Sequence, residues 1–111
     1  MKSAQEAQEA PDAMQAASNV YEKLLESDRV RVLKAVFRPG DKAAMHHHPD
    51  HSVYAVRGGR LHFSYPSGKE EDIDVGSGQA IFLEAQTHEA TNISDSEIEL
   101  VVTELKSTTH E

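Results

Sequence analysis

The chain has 111 residues, a formal charge of −8 and no cysteine, which describes one acidic domain with a single modest core. The acidic balance speaks against nucleic acid or an anionic membrane surface as a partner, because phosphate binding needs a basic patch, and the missing thiols exclude disulfides, thiolate zinc sites and cysteine nucleophiles. No apolar run approaches the about 18 residues that cross a bilayer, and glutamates occupy the N-terminal stretch where a secretory leader carries its apolar segment, so a cytoplasmic location is expected.

Residues 1–19 are rich in Ala, Gln and Glu, poor in large apolar side chains and interrupted by Pro11. They are expected to form a flexible tail, with a short helical turn over residues 13–17; a tail of this kind can alternatively pack on a dimer partner. The folded domain is expected to span residues 20–106, with residues 107–111 a second tail. Val20 to Leu25 is ambiguous alone, but Glu26-Ser27-Asp28 is a turn and Arg29 to Arg38 is long, β-branched and alternating, so a strand pair is predicted. Pro39-Gly40-Asp41 ends that pair.

Lys42 to His48 and Ser52 to Arg57 read as the next strands, and Gly58-Gly59 as a tight hairpin turn with positive φ. Arg60 to Tyr65, Glu70 to Val75, Gln79 to Leu83, Thr87 to Asn92 and Glu97 to Lys106 follow as strands, with turns at Pro66 to Lys69, Gly76 to Gly78 and Ile93 to Ser96. Ile73 and Val75 share one face, as do Ile98, Leu100 and Val102. Short strands at this spacing, with no amphipathic helix, spell an all-β sandwich or barrel. Phe37, Phe63, Phe82 and Tyr54 are expected to fill the core or line a pocket.

The chemistry is concentrated in Gly40-Asp-Lys-Ala-Ala-Met-His46-His47-His48-Pro49-Asp50-His51, where four of the seven histidines occupy six consecutive positions. In a strand, alternation sends His46 and His48 to one face and His47 to the other. Two imidazoles about 6.6 Å apart along the backbone can then converge on one ion. Pro49-Asp50 breaks the pleat and lets His51 be turned toward the same face.

Gly40-x5-His46-x-His48 followed by Tyr54-Ala55-Val56-Arg57-Gly58 resembles the first motif of the cupin superfamily, Gly-x5-His-x-His-x3–4-Glu-x6-Gly. Counting back from Gly58 places His51 where the family carries a glutamate; counting from Gly59 would place Ser52 there. The segment Gly78 to Asn92 resembles the second motif, Gly-x5-Pro-x-Gly-x2-His-x3-Asn, through His88-x3-Asn92. Glu84 replaces its proline and Gln86 its inner glycine, and the loop is one residue shorter. Anchoring on Glu84 instead would nominate Glu89.

The resemblance implies a double-stranded β-helix, or jelly-roll barrel, over about residues 20–106 and a divalent transition-metal site on His46, His48, His51 and His88. Imidazole donors suit Fe, Mn, Ni, Zn or Cu. If His51 is not a ligand it is a neighbouring pocket residue, with Asp50 or a water completing a three-histidine site. His47 and His62 are expected away from the ion, and His110 lies in the C-terminal tail. Four neutral ligands leave the ion its full charge, favouring an anionic bidentate ligand. Glu84 and Glu89 are the nearest candidate bases. The implied activity is that of a metal-dependent dioxygenase acting on a small organic molecule, with a non-catalytic ligand-binding or metal-sensing cupin as the alternative and a purely structural β-domain as the third. A homodimer is expected from the resemblance and from the small core.

Overall fold

A computed structural model describes residues 10–106. Nine strands follow one short helix: α1 (Ala13–Ala16), β1 (Tyr21–Glu26), β2 (Val30–Phe37), β3 (Lys42–His48), β4 (His51–Arg57), β5 (Gly59–Ser64), β6 (Glu70–Val75), β7 (Ala80–Leu83), β8 (Gln86–Asn92) and β9 (Ile98–Leu105). They form two antiparallel sheets, a five-stranded one in the order β1-β2-β9-β4-β7 and a four-stranded one in the order β3-β8-β5-β6. The period-2 pattern explains the core. Leu33, Ala35 and Phe37 of β2 face inward with Ile98, Leu100 and Val102 of β9, and they meet Leu61 and Phe63 of the opposite sheet.

Three expectations are revised. Gly58-Gly59 is not a positive-φ hairpin turn: neither glycine has positive φ, and β4 and β5 lie in different sheets. These glycines serve a sheet-to-sheet crossing at close quarters. A Cβ on Gly58 would overlap the Val75 carbonyl oxygen, and one on Gly59 would lie 2.6 Å from the Ser94 hydroxyl and 2.7 Å from Ile98 Cγ1. Phe82 and Tyr54, expected inside, are 57% and 46% exposed on the outer face of the five-stranded sheet. Their positions alternate with Ile81 and Val53, whose side chains point inward.

The third revision concerns the expected tail, of which residues 1–9 lie outside the described residues. Residues 10–19 pack on the barrel. Ala13 and Ala17 are fully buried, the Pro11 carbonyl accepts from the His47 amide at 2.8 Å, and Asp12 caps α1 through Gln15 N–H at 3.0 Å. Small alanines let the segment approach the sheet closely, and the ends are tied by polar contacts rather than large apolar side chains. Residues 107–111, the expected C-terminal tail, also lie outside the described residues.

Candidate metal centre

The centre is assembled from both sheets, beginning with a register in β3 and β8 that sets His46 directly opposite His88. That register contains a shift between Ala43 and His46. The shift changes the alternation, so Ala43 and His46 are both buried although three residues apart, and His48 follows His46 inward. His47 faces the other way, with Nδ1 3.4 Å from the Thr87 hydroxyl. After the Pro49-Asp50 break, His51 opens β4 in the other sheet and points inward, its ring 4.5 Å from that of His48.

Ligand atoms of His46, His48 and His88 all lie within 4.8 Å of one another. The four inward histidines are 0, 1, 1 and 2% exposed for His46, His48, His51 and His88. Each is oriented by its Nδ1. His46 donates to the Ala44 carbonyl at 2.7 Å, His51 to the Pro49 carbonyl at 2.7 Å, His48 to Glu104 Oε2 at 2.6 Å and His88 to Gln86 Oε1 at 2.8 Å. Carbonyl and carboxylate oxygens only accept, so the proton belongs on Nδ1 and every neutral ring presents its Nε2 lone pair. Gln86 is itself oriented by donating to the Glu84 carbonyl at 3.1 Å. Phe63 stacks on His88 at 4.3 Å between centroids.

Burial pushes all four imidazoles below the ordinary histidine value, His48 and His88 well below it, with the neighbouring histidines adding to the effect there. All four are therefore neutral near pH 7. His46 Nε2 and His48 Nε2 lie 3.0 Å apart, and with both protons on Nδ1 this is a contact between two lone pairs. Such a contact is relieved by a cation. Nitrogens bound at about 2.0–2.1 Å can be separated by up to about 4 Å around one ion, and 3.0 Å lies within that limit. The cluster of His46, His48 and His88 is compatible with a divalent transition metal, while His51, buried beside His48, lies outside that three-histidine group.

Two side chains that bear on the centre were not singled out from the sequence as members of it. Glu104 is 2% exposed and joins the two sheets. In the five-stranded sheet it lies opposite Arg31 on one side and His51 on the other, its Oε1 accepts from Arg31 at 2.8 Å and its Oε2 holds His48. Arg31 in turn reaches Asp12 at 3.0 Å. Burial raises the Glu104 carboxyl above its usual range, although Arg31 draws it back down. The alternation in β9 could have revealed it, since Glu104 is the next inward position after Ile98, Leu100 and Val102. Tyr21, buried on β1, brings its hydroxyl 3.2 Å from His48 Nε2 and 3.5 Å from His46 Nε2. No local pattern marks it.

The alternatives fall outside this cluster. Glu89 is half-buried and lies 3.7 Å from Lys42 Nζ, Glu84 is exposed, and Asp50 accepts from the Ala85 amide at 2.8 Å. Ser52 lies on the outward parity of β4, opposite Phe82. His62 is bound to Asp72 at 2.7 Å and Glu70 at 3.2 Å. Asn92 is structural: it donates to the Phe37 and Ser96 carbonyls and accepts from Ser94. A cavity of about 30 Å³ opens between the sheets beside His48, His51 and His88. Among the described residues, the side chains that line it apart from these histidines and Tyr21 are apolar and none is charged.

No family model matches the sequence, and no curated protein matches it. Solved structures do. A cupin domain from Bordetella pertussis Tohama I is 26% identical, with a TM-score of 0.73 over 89% of this chain and 98% of that one. A cupin superfamily protein from Desulfitobacterium hafniense DCB-2 is 16% identical, with a TM-score of 0.61 over 79% and 77%. A Cupin 2 conserved barrel domain protein from Salinispora arenicola CNS-205 is 17% identical, with a TM-score of 0.60 over 84% and 80%. The fold is thus the cupin double-stranded β-helix, with a buried histidine cluster compatible with metal binding. In fold the chain is similar to these small bacterial cupin structures.

Proposed function

We propose that the chain is a metal-dependent oxygenase in which His46, His48, His51 and His88 hold one divalent transition-metal ion and present it to a small organic molecule. The observation that carries the metal reading is the aligned Nδ1 bonding of four buried imidazoles, which turns their Nε2 lone pairs to the interior and leaves two of them 3.0 Å apart. Such an ion, when bound, supplies a Lewis acid and, if Fe, Mn, Ni or Cu, a redox centre.

The chain's own residues supply orientation and exclusion of water. Glu104 fixes the His48 ring and places a negative charge behind it, so the centre is less positive than four neutral ligands alone would make it. Phe63 closes over His88. Among the described residues no carboxylate lines the cavity, which favours chemistry centred on the ion over acid–base chemistry by a side chain. With no Arg or Lys lining it among the described residues, a negative group on the ligand is held by the ion, with the rest of the molecule against apolar walls.

The test loads tag-free protein with Fe(II), Mn(II), Ni(II) or Cu(II) and records oxygen uptake over a panel of small carboxylates and dicarbonyl compounds. Turnover that stops on chelation supports the oxygenase. Stoichiometric metal and tight ligand retention without turnover would move the assignment to a binding or sensing cupin, and absence of stoichiometric metal to a structural β-domain.

A further inference from the structure

We propose that Tyr21 is the specificity-determining hydrogen-bond donor of this centre, selecting ligands that coordinate through oxygen. This rests on the metal-centre reading. The Tyr21 ring meets His46 and His48 edge-on, at 5.4 and 5.6 Å between centroids, and its hydroxyl faces the Nε2 atoms of both. Those nitrogens are the hydroxyl's hydrogen-bond partners among the described residues. A metal ion takes up both lone pairs, and the phenolic proton then needs another acceptor, because a buried hydroxyl is rarely left unbonded.

Among the described residues, no lining side chain offers a free acceptor in exchange. The other polar side chains that line the cavity there are imidazoles whose protons are committed outward through Nδ1. The same geometry makes Tyr21 the single donor among the lining side chains. A phenol is ordinarily protonated at neutral pH and so can donate. An oxygen ligand beside the ion, such as a carboxylate, enolate or hydroxamate, accepts this proton through a second lone pair. A nitrogen ligand such as imidazole spends its only lone pair on the metal and gains nothing from Tyr21.

The experiment titrates the cobalt(II)-loaded full chain with acetohydroxamate and, separately, with imidazole, following the visible spectrum of the metal in wild type and Tyr21→Phe. The expected result is unchanged cobalt stoichiometry, acetohydroxamate binding weakened about tenfold or more in the variant, as for loss of a hydrogen bond to a charged group, and imidazole binding within about twofold. Equal acetohydroxamate affinity in the two proteins, or an equal loss for imidazole, overturns the inference. Loss of cobalt from the variant also overturns it, since the phenol would then be a ligand. Failure of wild type to take up cobalt instead refutes the metal centre itself. If the variant does not fold, the Tyr21 hydroxyl proton resonance of the zinc-loaded wild type decides: it moves downfield with acetohydroxamate and not with imidazole, and an unmoved resonance overturns the proposal.

Discussion

Acidifying the metal-free protein from about pH 7.5 to about pH 5.5, around the reference histidine value of about 6.5, perturbs four buried imidazoles at once. Burial holds His46, His48, His51 and His88 below their unfolded value, so the unfolded chain takes up protons first as the pH falls through about 6.5. Stability is therefore fully present above that value and declines below it. A group still neutral in the fold one unit below its unfolded pKa contributes a loss of about 1.4 kcal/mol. Two such groups would lose about 3 kcal/mol and four would set a ceiling of about 6 kcal/mol.

Against a total stability of about 5–15 kcal/mol, that is enough to unfold a marginal apo-protein. His62, whose pKa is raised by its hydrogen bond to Asp72, works in the opposite sense from an exposed position. The raised Glu104 carboxyl gains its proton at lower pH and then opposes the loss as well. The assay is urea unfolding in the presence of a chelator, followed by far-ultraviolet circular dichroism at about pH 7.5, 6.5 and 5.5. Free energies equal within about 1 kcal/mol across that range would refute the claim that these four rings are buried and neutral. Saturating zinc should delay the loss, because protons must then displace a bound ion.

The remaining expectations concern ligands and assembly. His46→Ala, His48→Ala and His88→Ala each abolish stoichiometric metal, whereas His47→Ala retains it; elemental analysis of tag-free protein distinguishes them, and equal loss from all four contradicts the strand-face geometry. Glu104→Gln keeps the shape but removes the charge behind His48, so metal affinity falls about 10–100-fold by competition with a chelating dye, and an unchanged affinity removes Glu104 from the centre. The proposed pairing of two copies would cover outward apolar side chains on the five-stranded sheet, including Tyr54, Val56 and Phe82. Light scattering should give a dimer for wild type and a shift toward monomer for Phe82→Asp, and a wild-type monomer at every concentration excludes the pairing.

Local pattern carried much of this protein. Turn residues bound the strands, alternation put Ile98, Leu100 and Val102 on one face, and the spacing of His46 and His48 announced a two-imidazole face, because strand geometry converts sequence parity directly into direction. What depended on partners distant in the chain was decided by tertiary structure. The β3–β8 register shift set which parity faces inward at His46 and brought His88 opposite it. Gly58 and Gly59 crossed between sheets where a hairpin was expected, for a steric reason that lies in Val75, Ser94 and Ile98. Asp12, Tyr21, Arg31 and Glu104, spread over 93 positions of the chain, meet the histidines only once both sheets have closed. Long-range convergence leaves no periodic trace in sequence, and here it orients His48 through Glu104, whereas His46, His51 and His88 are each oriented by a residue two positions away.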